Sequence, residues 1–383
     1  MSGRKSQSSA LVVVALIMGA AGLGLGMVSI LTPSTGVPGM DGTNGIDGTN
    51  GTNGIDGTDG TNGTDGKDGT FNSTTENYYF CSNQTELENA ITSIGSGAGT
   101  IVITKSIKLT SYIGIDTNGD LIIQGVSQGI EIGSPGNDKV FNITAVSSLT
   151  IRDLSINISD FTTTGTTGIR VADSNVHLEH LKIYGDSDRN GLAIWIISVS
   201  DVWIEDCIIN ESYYGITVSL SNGVHLNDNS IYNCNKTNAG NGIYLDHSLN
   251  SLIHDNYIEG SHSAIYLLAS NYTSISSNNL KENRNGINCE ESDNNTITGN
   301  VILGVIATSG LDFHGIWLNT DADYNVITGN LVTNHINLNQ IGYGLKIEDS
   351  SIDYSTVAGN TFLNNNVNFV DSGTNTNATG NNY

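Results

Sequence analysis

The chain has 383 residues with Lys+Arg 14 against Asp+Glu 38, so its formal charge is −24 although only 14% of residues are charged. A pI near 4.3 and the lack of any Lys/Arg run exclude nucleic acid as a partner, because nothing here can displace counterions from phosphates. A hydrophobic share of 37% is enough for a core, while 46 Gly, 48 Asn and 3 Pro mark a chain of many tight turns and little helix.

In chain order, residues 1–9 read as a cytoplasmic stub carrying Arg4 and Lys5. Residues 10–31 hold one hydroxyl and no charge, and as a helix they span about 33 Å, the thickness of a bilayer core. The basic stub and acidic continuation place everything after this span outside the cell, a single-pass cell-membrane topology. The run exceeds the h-region of about 7–15 residues in a cleaved signal and lacks an A-x-A site, so an uncleaved anchor is expected. Across residues 32–70, Gly falls on every third position from Gly36 to Gly69, twelve in strict register. Only Gly fits the axis of a triple helix, so this segment reads as a collagen-like stalk joining three chains; a flexible coil is the other reading.

Residues 71–383 are an internal repeat. A Gly/Ala-Ile/Leu-x-apolar pattern starts at Gly168, Gly191, Gly215, Gly242, Ala264, Gly286, Gly315 and Gly344, at spacings of 22 to 29. An I-x-x-N-x-I pattern follows in register, its Asn at Asn229, Asn256, Asn278, Asn300, Asn330, Asn360 and Asn381. Strands this short cannot form a sheet within one repeat, so they stack into three parallel sheets with amide stacks at a tight bend. Leu154, Leu181 and Cys207 fill the same slot in earlier coils. Residues 85–94 put Leu87, Ala90, Ile91 and Ile94 on one helix face, capped by Thr85, to plug the N-terminal end. Cys81, Cys207, Cys234 and Cys289 have no metal-ligand spacing and are expected as buried thiols.

The cap helix, the run Gly97-Ala-Gly-Thr-Ile-Val-Ile103, the Gly-Ile-x-Val repeats and the Asn ladder resemble the right-handed parallel β-helix of the pectate-lyase-like superfamily. The resemblance is closest to its PbH1-repeat, carbohydrate-binding and sugar-hydrolase (NosD-like) members. It implies an all-β solenoid with the ladder between second and third strands, which makes the Gly-Ile-x-Val strand the first sheet. The fold carries many activities, so function must come from the surface.

By alternation, one outward column of the first sheet reads Arg170, Ala193, Thr217, Tyr244, Tyr266, Asn288, Trp317 and Lys346. The next reads Ala172, Trp195, Ser219, Asp246, Leu268, Glu290, Asn319 and Glu348. Aromatic faces stack on sugar C–H faces and carboxylates accept hydroxyl hydrogen bonds. Tyr244, Asp246, Tyr266, Glu290, Trp317 and Glu348 are therefore the expected polysaccharide-binding residues. Insertions at residues 234–241, 304–314 and 334–343 flank this sheet, which marks it as the binding face.

Catalytic signatures are missing or out of context. Gly125-Val-Ser127-Gln-Gly129 precedes a strand where a nucleophile elbow needs a helix. Val202-Trp-Ile-Glu-Asp-Cys207 is similar to the V-W-I-D-H stretch of pectate lyases, with Glu205-Asp206 in place of Asp-His and no R-x-P-x-x-R after it. Asn319-Thr-Asp321 is similar to part of a polygalacturonase motif and stands alone. His177, His225 and His254 lie in separate coils and are expected as surface histidines. In an enzyme, Glu290 and Glu348 with Asp312 would supply the carboxylates. Glu291, Asp293, Asp321, Asp323, Asp349 and Asp353 stack a coil apart, an acidic ridge suited to Ca²⁺ or to simple solvation. The expected protein is thus a membrane-anchored surface β-helix that binds polysaccharide without cutting it. A polysaccharide hydrolase and a purely structural spacer are the alternatives.

Because strict Gly-x-y makes steric sense only for three chains, a fragment from residue 32 onward should sediment as a homotrimer at micromolar concentration. A monomer there would remove the triple-helical stalk.

Overall fold

The computed structural model describes residues 77–383 apart from 137, 164, 165, 187, 189 and 236–238. The expected stub, anchor and stalk lie outside the described residues. Among the described residues, no helix is long and apolar enough to cross a membrane.

Strand Asn77–Cys81 leads into helix Gln84–Ile94, which buries Leu87, Ala90, Ile91 and Ile94 as its spacing predicts. The cap differs from expectation: the Asn83 side chain accepts the Glu86 N–H at 3.0 Å, and Thr85 falls inside the first turn. A short carboxamide placed one position before the helix reaches that orphan donor, so the helix begins earlier than residue 85.

Beyond the helix the chain winds as a solenoid with sheets of 11, 13 and 11 parallel strands. One coil shows the plan. Asn241–Asp246 belongs to the first sheet, Leu252–His254 to the second and Tyr257–Glu259 to the third, after which Ser263–Leu268 re-enters the first. Register between coils is residue on residue, with Ile243 opposite Ile265 and Ile253 opposite Ile275. Apolar side chains consequently stack in files along the axis. Ile216, Ile243, Ile265, Ile287 and Ile316 form one such file, each fully buried and each adding about 1.5–3 kcal/mol relative to exposure.

The corner between second and third sheets carries the expected amide ladder. Nδ2 of Asn229, Asn256, Asn278, Asn300 and Asn330 donates to Oδ1 of the next ladder asparagine at 2.9–3.0 Å, and Asn360 continues to Asn381 at 3.1 Å. Each Oδ1 also accepts the backbone N–H of the asparagine before it, as Asn300 does for Asn278 at 2.9 Å. Leu154, Leu181 and Cys207 continue this stack as buried side chains. The residue before each ladder position has a left-handed backbone, Asp255 at φ 57° and Gly329 at φ 66° among them. That conformation turns the chain sharply enough to seat the amide inside.

A second ladder, unread in the sequence, holds the corner between first and second sheets. Ser221, Ser248, Ser270 and Ser292 each accept through Oγ the backbone N–H of the corner residue one coil earlier, at 3.0–3.3 Å. The four cysteines are buried as expected, and burial pushes the Cys207 and Cys289 thiols up to about 12. Ser127 sits in a turn, its Oγ accepting the Gly129 N–H, and strand Glu131–Gly133 follows.

Replacing one rung tests the ladder. Asn300→Ala orphans the Asn278 N–H and the Ile275 carbonyl, and should cost about 3 kcal/mol at about 1–3 kcal/mol per orphaned group in urea unfolding. Asn300→Asp should cost more, since a carboxylate oxygen would face the Ile275 carbonyl and Asn330 Oδ1.

Candidate functional site

Strand register places Arg170, Trp195, Thr217, Tyr244, Tyr266, Asn288, Trp317 and Lys346 in one outward column of the first sheet. Trp195 therefore replaces Ala193, which is fully buried, and Ile197 takes Trp195's expected place in the second column. The two-residue slip has a backbone cause. Gly191, at φ 78°, is a turn residue pressed against Phe161, so Ala193 occupies the position that glycine holds in other coils. Trp195 then lies under the Arg170 guanidinium at 5.5 Å.

Rising along this face, the ring of Tyr244 lies 5.7 Å from that of Tyr214 and 5.2 Å from that of Tyr266. Asn288 is next on the same column and Trp317 follows. Trp317 stacks on His314 at 4.2 Å and His314 on Tyr343 at 5.4 Å, so the indole is backed by buried rings. The Tyr266 hydroxyl donates to Glu290. The Trp317 indole N–H donates to Glu348 at 2.9 Å, and Lys346 pairs with the same carboxylate at 2.6 Å. Burial, followed by the charges of Asp246 and Glu290, pushes the Tyr244 phenol up to about 12.

These side chains frame a groove of about 290 Å³ whose lining includes Tyr214, Tyr266, Asn288, Glu290, Trp317 and Asn319. Ala239, Gly240 and Asn241 wall it, so the insertion at residues 234–241 borders the site. The other two insertions pair with each other through Ile306–Ala307 and Ile336–Asn337. Of the expected residues, Tyr266, Glu290 and Trp317 line the groove, while Tyr244, Asp246 and Glu348 sit on the same face beside it. Asp312 does not line it; its Oδ1 accepts the Ile341 N–H at 3.0 Å. Asn288 was read only as a member of its column. It is 5% exposed on the groove floor, between Tyr266 and Trp317, and among the described residues its Oδ1 has no hydrogen-bond partner.

The acidic ridge works partly as a third ladder. Asp293 Oδ1 accepts the Asp323 N–H at 2.8 Å and Asp323 Oδ1 accepts the Asp353 N–H at 2.6 Å. Burial and the charges of Asp323 and Asp321 raise the Asp293 pKa against the opposing amide bond. Asp349 is lowered by the Ser351 hydroxyl and amide, both within 2.8 Å, and Glu291 is exposed. Among the described residues, only His177, Glu179 and Glu205 gather three ligand atoms within 4.8 Å of one another, so the ridge carboxylates do not converge. Of the second-sheet histidines, His225 stacks flat on Trp203 at 3.9 Å, His254 bonds Asp255 at 2.9 Å, and His177, expected as a surface histidine, lies 2.6 Å from Glu205.

Residues 71–383 match the family described as periplasmic copper-binding protein (NosD). No curated protein sequence matches the chain. Among solved structures it is similar to a GH136 lacto-N-biosidase from Eubacterium ramulus, at 12% identity and TM-score 0.62 over 80% of this chain and 67% of that one. A DFA-IIIase from Arthrobacter chlorophenolicus A6 is similar at 14% identity and TM-score 0.61 over 79% and 93%. A mannuronan C-5 epimerase A-module from Azotobacter vinelandii is similar at 15% identity and TM-score 0.47 over 78% and 93%. For the first two, at such identities, the likeness is one of fold.

The copper in the family's description can be set against the donors present. All four Met lie before residue 41, and the cysteines are buried singly, so among the described residues no thiolate or thioether set fits a cuprous ion. A cupric ion accepts imidazole and carboxylate, which meet at His177, Glu179 and Glu205.

Burial makes this half of the solenoid acid-sensitive. It lowers His314 to about 3 and His335 and His262 to about 4, from 6.5. The unfolded chain takes up these protons first, so the groups leave stability unchanged above about pH 6.5 and withdraw it as pH falls toward 4. Melting temperature should fall across that window, and His335→Phe should flatten the fall by about one proton's worth of slope.

Proposed function

Because the chain belongs to the NosD family through its whole solenoid, we propose that the first-sheet face between Tyr244 and Glu348 binds a polysaccharide in the groove between Tyr266 and Trp317. The observation that carries this reading is the Asn288 Oδ1 on the groove floor, flanked by two rings and without a hydrogen-bond partner among the described residues. A buried acceptor left without a donor costs about 1–3 kcal/mol, and a sugar hydroxyl supplies that donor while the rings take the C–H faces. Rungs at about 4.8 Å set the adjacent rings of Tyr244 and Tyr266 near one sugar length apart, and Tyr266 and Trp317, with Asn288 between them, near two. The anchor over residues 10–31 and the stalk over residues 32–70 would hold three such faces outside the cell membrane, and their presentation there is part of the same proposal.

Binding without cleavage is the preferred form. Glu348 is taken up by Trp317 and Lys346, and it lies two rungs from Glu290, about 10 Å, just beyond the about 6.5–9.5 Å of inverting glycosidases. The contact between the Tyr266 hydroxyl and Glu290 favours the second reading, a hydrolase, since it holds a carboxylate in position in the groove.

The two separate under mutation in a glycan-array screen with product detection. Trp317→Ala should lower affinity about 30-fold or more, as loss of an aromatic anchor does, and Asn288→Ala about 5-fold. Glu290→Gln should leave binding nearly intact. Reducing ends or unsaturated products released by the wild type and lost in Glu290→Gln would replace the binding reading with the hydrolase, and no glycan bound would remove both.

A further inference from the structure

We propose that His177, Glu179 and Glu205, on the outer face of the second sheet, bind one divalent transition-metal ion of borderline softness, zinc or cupric. The site is separate from the sugar groove and independent of that reading. His177 and Glu179 alternate along strand Val176–Glu179 and so share its outer face, and Glu205 stands directly opposite Glu179 one coil on. Strict register thus sets two carboxylates side by side with an imidazole next to them. His177 Nε2 lies 2.6 Å from Glu205 Oε1 and 3.9 Å from Glu179 Oε2.

The second oxygen of each carboxylate is held from outside. Arg152 Nη1, from the preceding coil, donates to Glu179 Oε1 at 3.3 Å. Asn227 Nδ2, from the following coil, donates to Glu205 Oε2 at 3.1 Å. Each carboxylate therefore keeps one oxygen turned toward the imidazole nitrogen. A ring N–H can serve one of these oxygens, and 3.9 Å is too long for it to serve both. One cation between the three atoms satisfies all of them. Outer donors that fix the orientation of ligating side chains are the usual support of a metal centre.

The donor set selects the ion. One nitrogen and two oxygens are too few and too mixed for Ca²⁺, which takes six to eight oxygens, and lack the sulfur that Cu⁺ prefers. Zn²⁺ and Cu²⁺ accept this set, with ligand distances of about 2.0–2.2 Å that the half-exposed side chains reach by small rotations. The cleft beside His177 and Glu205, of about 410 Å³ and lined also by Ser148, Thr150, Asn175 and Trp203, leaves further coordination positions open to water.

The test uses the full chain in detergent, without a polyhistidine tag, titrated with ZnCl₂ in a calorimeter and with CuCl₂ under electron paramagnetic resonance. One ion per chain should bind, with coupling to a single nitrogen in the copper spectrum. His177→Ala and Glu205→Gln should each weaken binding by about 10–100-fold, and Asn227→Ala, a positioning residue, by about 10-fold. His254→Ala and Asp293→Asn should leave affinity unchanged, and each variant's metal-free melting temperature reports whether it still folds. No stoichiometric binding, coupling to two or more nitrogens, or an affinity that survives His177→Ala in a folded chain would overturn the site, as would its loss in Asp293→Asn.

Discussion

Everything in this solenoid depends on one coil satisfying the next, side chain on side chain and amide on carbonyl, at the spacing of a β-ladder. Parallel strands three residues long have no stability of their own, so what holds them is identity of position from rung to rung. Corners are the weak places in such a stack, because backbone groups there face inward without a strand partner. The asparagine ladder answers at one corner, where each amide both gives and takes a hydrogen bond along the axis. Serine hydroxyls answer at the next, and Asp293 and Asp323 do the same on the outer edge of that turn.

The same repetition organises the surface. Any residue type that recurs at one outward position becomes a column, and a column becomes a binding face when its members suit one ligand. On the first sheet the members are rings and carboxylates around Asn288, beside an insertion at the third corner. On the second sheet the members are His177, Trp203 and His225 beside Glu179 and Glu205, and neighbours on adjacent coils orient both carboxylates. Both clusters are brought together by stacking of coils, and the first is also walled by Ala239, Gly240 and Asn241 of an insertion.

Buried polar groups show where stacking is incomplete. His314 is wedged between Trp317 and Tyr343, and His335 is fully enclosed near the same coils. The His314 imidazole backs the Trp317 ring, and the lowered pKa values of both histidines make these coils the acid-sensitive part of the stack.

The repeat itself was legible in the sequence, because strand period, left-handed turn residues and the ladder asparagines are local patterns that recur with the coil. The solenoid class, the three sheets, the buried cysteines and the face carrying Tyr244, Tyr266 and Trp317 follow from them. Register within an irregular coil was not legible: Gly191 reads like the other repeat glycines, and only packing against Phe161 shows that it is a turn residue and that Trp195 faces outward. Pairings between coils were hidden for the same reason. Glu179 and Glu205 are 26 positions apart in the chain, and Arg152 and Asn227 meet them only because the coils are stacked in register, so tertiary structure alone decided where those charges converge.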